Sequence, residues 1–175
     1  MRTLKNIGFG ILLLICSIGF SQEEEIPWSA SRKLVWTDFK GAPQNNSDAA
    51  ATTASGISYG FSAQMDSRGN TVVDYEVNAF FYPNESWYKP SLSSDLILSH
   101  EQLHFDIAEL FARKMRAQLS KMTFSKNVKK EIRQVYQSTI KALQAYQREY
   151  DRATNFSRNR EQQLLWVEKI NKALQ

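Results

Sequence analysis

Residues 100–104 read His100-Glu101-Gln102-Leu103-His104. This is the H-E-x-x-H pattern, in which a helix presents two metal ligands and a general base. Residues four apart on an α-helix lie one turn apart on the same face, so both imidazoles can point at one ion. Glu101 sits about 100° further round the helix and can reach a water held beside that ion. The chain has two histidines in all, and both are here. A third protein ligand must therefore be a carboxylate, or be absent. The competing reading of these five residues is a helix with two core or surface histidines and a solvated glutamate.

The flanking sequence supplies the helix. Ser91, Ser93 and Ser94 offer N-caps after Pro90, and Asp95 suits a first helical turn. From there to about Lys121 no Gly or Pro intervenes. Ile97, His100, His104, Ile107, Ala108, Phe111 and Met115 follow helical spacing, with Leu96, Leu103 and Leu110 widening the stripe. The histidines thus fall on the face expected to be buried, where imidazoles need polar partners or a metal.

Residues 26–90, before this helix, read as strands and loops. Trp28, Leu34, Val35 and Trp36 are early apolar anchors, Phe39 to Pro43 marks a turn, and Gln44 to Ser55 is small, polar and expected to be irregular. Ile57, Tyr59, Phe61, Ala63 and Met65 alternate with more polar residues, as do Val73, Tyr75, Val77, Ala79 and Phe81. The turn signal Asp66-Ser67-Arg68-Gly69-Asn70 between them predicts a hairpin, and Pro83 ends its second strand. Trp87 and Tyr88 are expected to pack near the start of the motif helix. Beyond it, Val128, Ile132, Val135, Thr139, Ala142, Leu143, Tyr146 and Tyr150 form one face of a helix from about Lys126 to Tyr150. Asn155 to Asn159 reads as a break. Arg160 to Leu174 then forms a last amphipathic helix through Leu164, Leu165, Val167, Ile170 and Leu174. Strands first and helices later argue for an α+β domain.

The N-terminus reads as a signal peptide over residues 1–21. Arg2 and Lys5 precede an apolar run from Ile7 to Phe20, and Gly19 and Ser21 are small residues suited to cleavage. Gln22 would become the first residue of a single domain over 22–175, exported to the periplasm or secreted, with no stable membrane insertion. Cys16 is the only cysteine and lies in the leader. Bulky Ile15 before it disfavours lipid attachment. Residues 22–175 therefore have no disulfide and no thiolate ligand. Loss of Arg2 and Lys5 takes the net charge from +4 to +2. The basic residues are interleaved with acids, which speaks against nucleic-acid binding.

Taken together, the chain resembles the bacterial domain-of-unknown-function 922 family, predicted to be secreted zinc-dependent proteases of the zincin kind. The likeness rests on Leu34, Trp36, Asp38-Phe39-Lys40-Gly41, Pro43, the run Ala49 to Thr52, Ser86-Trp87 and above all His100 to Glu109. Tyr150-Asp151-Arg152-Ala153-Thr154 is similar to the family's C-terminal signature. The resemblance implies a zincin-like fold: antiparallel strands with a hairpin, the active-site helix, then two C-terminal helices. It also implies His100 and His104 as zinc ligands and Glu101 as general base. In the family the C-terminal signature continues to a histidine, the implied third ligand, where this chain has Phe156. A phenyl ring cannot coordinate zinc.

Glu149, Asp151 and Glu161 are the carboxylates that could replace it from another helix. Asp151 is the first choice, either as ligand or as a group holding a ligand imidazole. Asp106 and Glu109 lie roughly 200° and 140° round the helix from His104 and are expected to form salt bridges or caps instead. The strand from Val72 to Phe81 is expected to lie beside the site and hold substrate, with Tyr146 or Tyr150 as oxyanion candidates. These features point to a zinc metallopeptidase acting on peptide or protein substrates. The alternative is a catalytically impaired zincin-like scaffold that binds peptide or envelope components. A structural zinc alone would call for four protein ligands, often cysteines.

Overall fold

The computed structural model describes residues 24–44 and 46–175. The leader, Cys16 and the expected cleavage point lie outside the described residues.

The element order is β1 (Ile26–Pro27), β2 (Ala51–Thr52), β3 (Ser55–Met65), β4 (Thr71–Phe81), β5 (Trp87–Tyr88), α1 (Asp95–Leu119), α2 (Val128–Ala153) and α3 (Arg160–Ala173). This is the α+β layout read from the sequence. β3 and β4 form the expected hairpin, paired from Ser55 opposite Phe81 to Met65 opposite Thr71. Its turn is closed by Asp66, whose Oδ1 accepts from the backbone N–H groups of Arg68 (2.9 Å) and Asn70 (2.8 Å). Gly69 supplies the positive φ of 81° that this turn needs. Toward the turn the alternation no longer faces a core: Ala63 and Met65 are exposed, while Ile57, Val77, Ala79 and Phe81 are buried. β1 pairs with the far end of β4, making a three-stranded sheet.

β2 and β5 form a separate two-stranded ribbon, so the stretch Gln44–Ser55 is not wholly irregular as expected. Tertiary partners order it. Buried Ser86 accepts from Ala54 N–H at 2.9 Å and donates to Tyr82 O at 2.8 Å, and the Lys89 ammonium donates to Ser47 O. The preceding turn docks closely here as well. Gly41 N–H donates to Ser86 O at 2.8 Å, and a Cβ at Gly41 would come within 2.9 Å of the carbonyl oxygens of Asn84 and Ser86. Trp36 stacks on Tyr88 with centroids 4.6 Å apart.

Helix α1 is the centre of the domain. Ser94 caps it by accepting from Ile97 N–H, as the sequence suggests. β3 and β4 pack on one side and α2 and α3 on another, so Leu103, Ile107, Ala108, Ala112 and Met115 are all buried. Two of its buried acids, Asp106 and Glu109, are paired, as expected. Asp106 accepts from Trp28 Nε1 (2.7 Å) and Gln102 Nε2 (2.9 Å). Glu109 accepts from Arg113 Nε (3.0 Å) and Arg116 Nη2 (2.6 Å). Asp106 thereby ties Trp28 to α1, and Glu109 orients Arg113 and Arg116, which donate onward to Leu174 O and Val77 O.

α2 buries Val128, Ile132, Val135, Thr139, Leu143 and Tyr150, with Ala142 the exposed exception to the expected face. It ends in a turn where Asn155, Phe156 and Ser157 take φ values of 48°, 51° and 70°. A left-handed backbone costs a residue with a side chain about 1–2 kcal/mol. The turn is held by Phe156 N–H to Asp151 O and Asn159 N–H to Thr154 O, both 2.8 Å. α3 then returns along α1, but rotated from the expected face. Gln163, Trp166 and Ile170 are buried, whereas Leu164 and Leu165 are exposed. No helix among the described residues is long and apolar enough to cross a membrane.

Candidate metal centre

α1 and α2 pack side by side, and His100 and His104 face α2 one turn apart. Asp151, in the last turn of α2, lies between them. Its Oδ1 is 3.2 Å from His100 Nε2 and 2.9 Å from His104 Nε2, and the two Nε2 atoms are 3.3 Å apart. Of the three carboxylates considered, the packing brings in Asp151 alone. Glu149 and Glu161 are exposed and outside the group. On α2, Glu149 lies roughly 200° round the axis from Asp151, and Glu161 begins α3 facing solvent.

The donor set fits zinc. Ligands about 2.0–2.2 Å from a tetrahedral ion lie roughly 3.3–3.6 Å from one another, close to the spacing of these three atoms. Two imidazoles and one carboxylate leave a fourth position open, as in hydrolytic zinc sites.

Further contacts fix the rings. The His100 ring lies over Tyr150, with centroids 4.5 Å apart and planes 22° apart. His100 Nδ1 is 3.1 Å from Gln163 Oε1. Gln147 Nε2 donates to His104 O at 3.2 Å, and Tyr150 Oη lies 3.3 Å from His100 O while its one proton goes to the nearer Gln163 Oε1. Gln163 was not among the sequence candidates. A lone Gln in an amphipathic helix carries no local signal of such a role.

The three residues open onto a cleft of about 980 Å³. Ser47 to Thr53 form one wall, with Leu92 and Ile97. Gln144, Gln147 and Arg148 from α2 and Phe156 to Arg158 from the left-handed turn form the other. Glu101 lines the cleft as well, and its backbone carbonyl accepts from Thr53 Oγ1 at 3.3 Å. Phe156 is at the cleft surface, 58% exposed. A second cavity of about 330 Å³, bounded by Lys33, Leu34, Leu98, Gln102 and Val167, contains none of the three donors.

Two expectations are corrected here. The strand Val72–Phe81 does not line the cleft, because β4 pairs with β3 and packs on α1 elsewhere. The neighbouring wall is the β2 segment. Neither Tyr146 nor Tyr150 lines the cleft. Tyr150 is fully buried with its hydroxyl donated inward to Gln163 Oε1 at 2.7 Å, and Tyr146 packs on Phe111 and Trp166. Burial pushes the Tyr150 hydroxyl far above its usual pKa, and the charges of Glu101 and Asp151 add to this against the Gln163 hydrogen bond.

Asp151 and His104 shift each other's titration. Burial works to raise the Asp151 pKa, but its bonds to His100 and His104 outweigh that and hold it well below the usual carboxylate range. Burial works to lower the His104 pKa, but the Asp151 hydrogen bond and the charges of Glu101 and Asp151 raise it overall. The lowered Asp151 pKa gives stability present above its ordinary 3.8 and lost as pH falls through the folded value. The raised His104 pKa gives stability present below 6.5 and lost as pH rises through the folded value. The urea midpoint of the metal-free protein is therefore expected to receive most support from this pair between about pH 4 and 6.5. For a metal ion held by these three residues the upper limb would run the other way: its affinity would rise with pH through the His104 titration, because the ion would have to displace that proton.

The chain belongs to the family described as bacterial protein of unknown function (DUF922), whose family model matches residues 36–158. No curated protein and no solved structure matches the chain.

Proposed function

We propose that this family member is an exported zinc-dependent peptidase. Its leader would be residues 1–21 and its single domain residues 22–175. The observation that carries the reading is the convergence of His100 Nε2, His104 Nε2 and Asp151 Oδ1 at ligand spacing beside Glu101, on the floor of an open cleft. In this reading those three side chains hold the ion. Zinc held there would supply Lewis acidity toward a water and a carbonyl. Glu101 accepts the water proton and passes it to the leaving amine. In the metal-free site Asp151 Oδ1 stands 2.9 Å from His104 Nε2, and its lowered pKa keeps a negative charge in the site across neutral pH.

A peptide or protein substrate would lie along β2. Lys89 N–H donates to Ala50 O at 2.8 Å, and Ala51 stands opposite Tyr88. In an antiparallel ladder the pairs alternate, so the backbone groups of Ala51 point away from β5 toward the outer edge. That edge has no strand partner among the described residues. An extended peptide can add there and run past the histidines.

Phe156 favours a second reading, a zincin-like scaffold that binds peptide or envelope components without cleaving them. One experiment separates the two: zinc analysis of the form beginning at Gln22 and of His104→Ala, beside a peptide-hydrolysis assay. The peptidase reading expects near one zinc per chain, lost in the variant, together with hydrolysis. Bound zinc without hydrolysis of any peptide offered would favour the scaffold. No zinc after reconstitution would sink the metal reading.

A further inference from the structure

We propose that Gln163 is a positioning residue that sets the tautomer of His100, so that the Nε2 lone pair of that ring faces the metal position. This rests on the zinc reading of the same centre and adds a residue beyond the family-matched segment.

Gln163 is 1% exposed, held between Tyr150 and His100. Its Oε1 accepts from Tyr150 Oη at 2.7 Å and faces His100 Nδ1 at 3.1 Å. A carbonyl oxygen only accepts, so the proton of neutral His100 is placed on Nδ1. Nε2 is then left with its lone pair, directed at Asp151 Oδ1 at 3.2 Å. A lone pair against a carboxylate oxygen is repulsive unless a cation lies between them, either the ion or the second proton of a charged His100, which is the form that donates to Asp151. The same amide orientation leaves Gln163 Nε2 buried without a hydrogen-bond partner. Turning the amide over would aim its N–H groups at Tyr150 and His100. The His100 proton would then move to Nε2 and close the metal position. The orientation with the orphaned nitrogen is thus the one that keeps Nε2 available.

The burial pattern of α3 agrees. Leu164 and Leu165 are exposed while the polar Gln163 is buried. Helix rotation therefore favours the contact with His100 over burial of two leucines.

The test uses the protein with Gln163→Met, which keeps the shape and removes the amide, and Gln163→Glu, which when ionised keeps an acceptor and cannot donate. Two readouts are taken. One is the ¹⁵N signature of the His100 tautomer in metal-free protein at a pH where that ring is neutral. The other is zinc affinity by competition with a chelator. Wild type and Gln163→Glu should carry the proton on Nδ1, and Gln163→Met should lose that preference. Zinc affinity should fall about 10- to 100-fold in Gln163→Met and be retained in Gln163→Glu. A proton on Nε2 in metal-free wild type, unchanged affinity in Gln163→Met, or equal loss in both variants would overturn the proposal. Wild type with the Nδ1 proton but no zinc binding would instead overturn the metal reading while leaving the positioning role standing.

Discussion

Replacing Asp151 with alanine is expected to abolish zinc binding at micromolar metal. Loss of a group that merely holds a ligand lowers metal affinity by about 10- to 100-fold, and loss of a direct ligand should exceed that. Among the described residues no other donor converges with the two imidazoles at ligand spacing. Both histidines are already in the site, Glu149 and Glu161 are exposed away from it, and Asp106 and Glu109 are committed to Trp28, Gln102, Arg113 and Arg116. Equilibrium dialysis with zinc reads the effect directly. The variant also tests the electrostatics. Without Asp151, burial of His104 is opposed only by the Glu101 charge, so the His104 pKa should fall from its raised value. Zinc affinity within threefold of wild type would show that Asp151 is not a ligand.

Replacing Glu101 with glutamine is expected to lower peptide hydrolysis by about 10²- to 10⁴-fold, the range for loss of a positioned proton carrier. Zinc should remain bound. Glu101 lines the cleft beside the histidines but is outside the group that converges at ligand spacing. Glutamine keeps the shape and hydrogen-bonding reach and removes the ability to take a proton. The informative result is therefore the combination of lost hydrolysis and retained metal. Loss of zinc in Glu101→Gln would mean that Glu101 serves the centre's structure, and full hydrolysis would remove it from the mechanism.

Much of this architecture is legible locally. His100 and His104 share a helical face because of their spacing, and the cap at Ser94 follows from a serine before an uninterrupted helical run. The hairpin is written in the alternation of Ile57 to Met65 and Val73 to Phe81 around the Asp66–Asn70 turn. The absence of any third histidine confines the remaining ligand to a carboxylate. Asp151 was distinguishable as a candidate, though not as the answer, because Glu149 and Glu161 have the same chemistry.

What the chain could not disclose by itself are relations between elements. Periodicity describes the faces of one helix but not how far that helix is rotated against its neighbours. α3 shows this. Its leucines suggest one buried face, yet Gln163 is turned inward by the hydrogen bonds it makes to Tyr150 and His100. The cleft wall is similar. Ser47 to Thr53 is small and polar with no strand signal, and it is ordered by β5, Lys89 and the Glu101 carbonyl, all more than thirty residues away. Local sequence determined the helix that carries the two imidazoles and the hairpin that packs on it, because those rest on contacts within a few residues. The tertiary structure alone decided that Asp151 completes the trio, that β2 rather than β4 borders it, and that Tyr150 faces inward. Each of those depends on the angle and depth at which separate helices and strands meet, which packing settles and spacing does not.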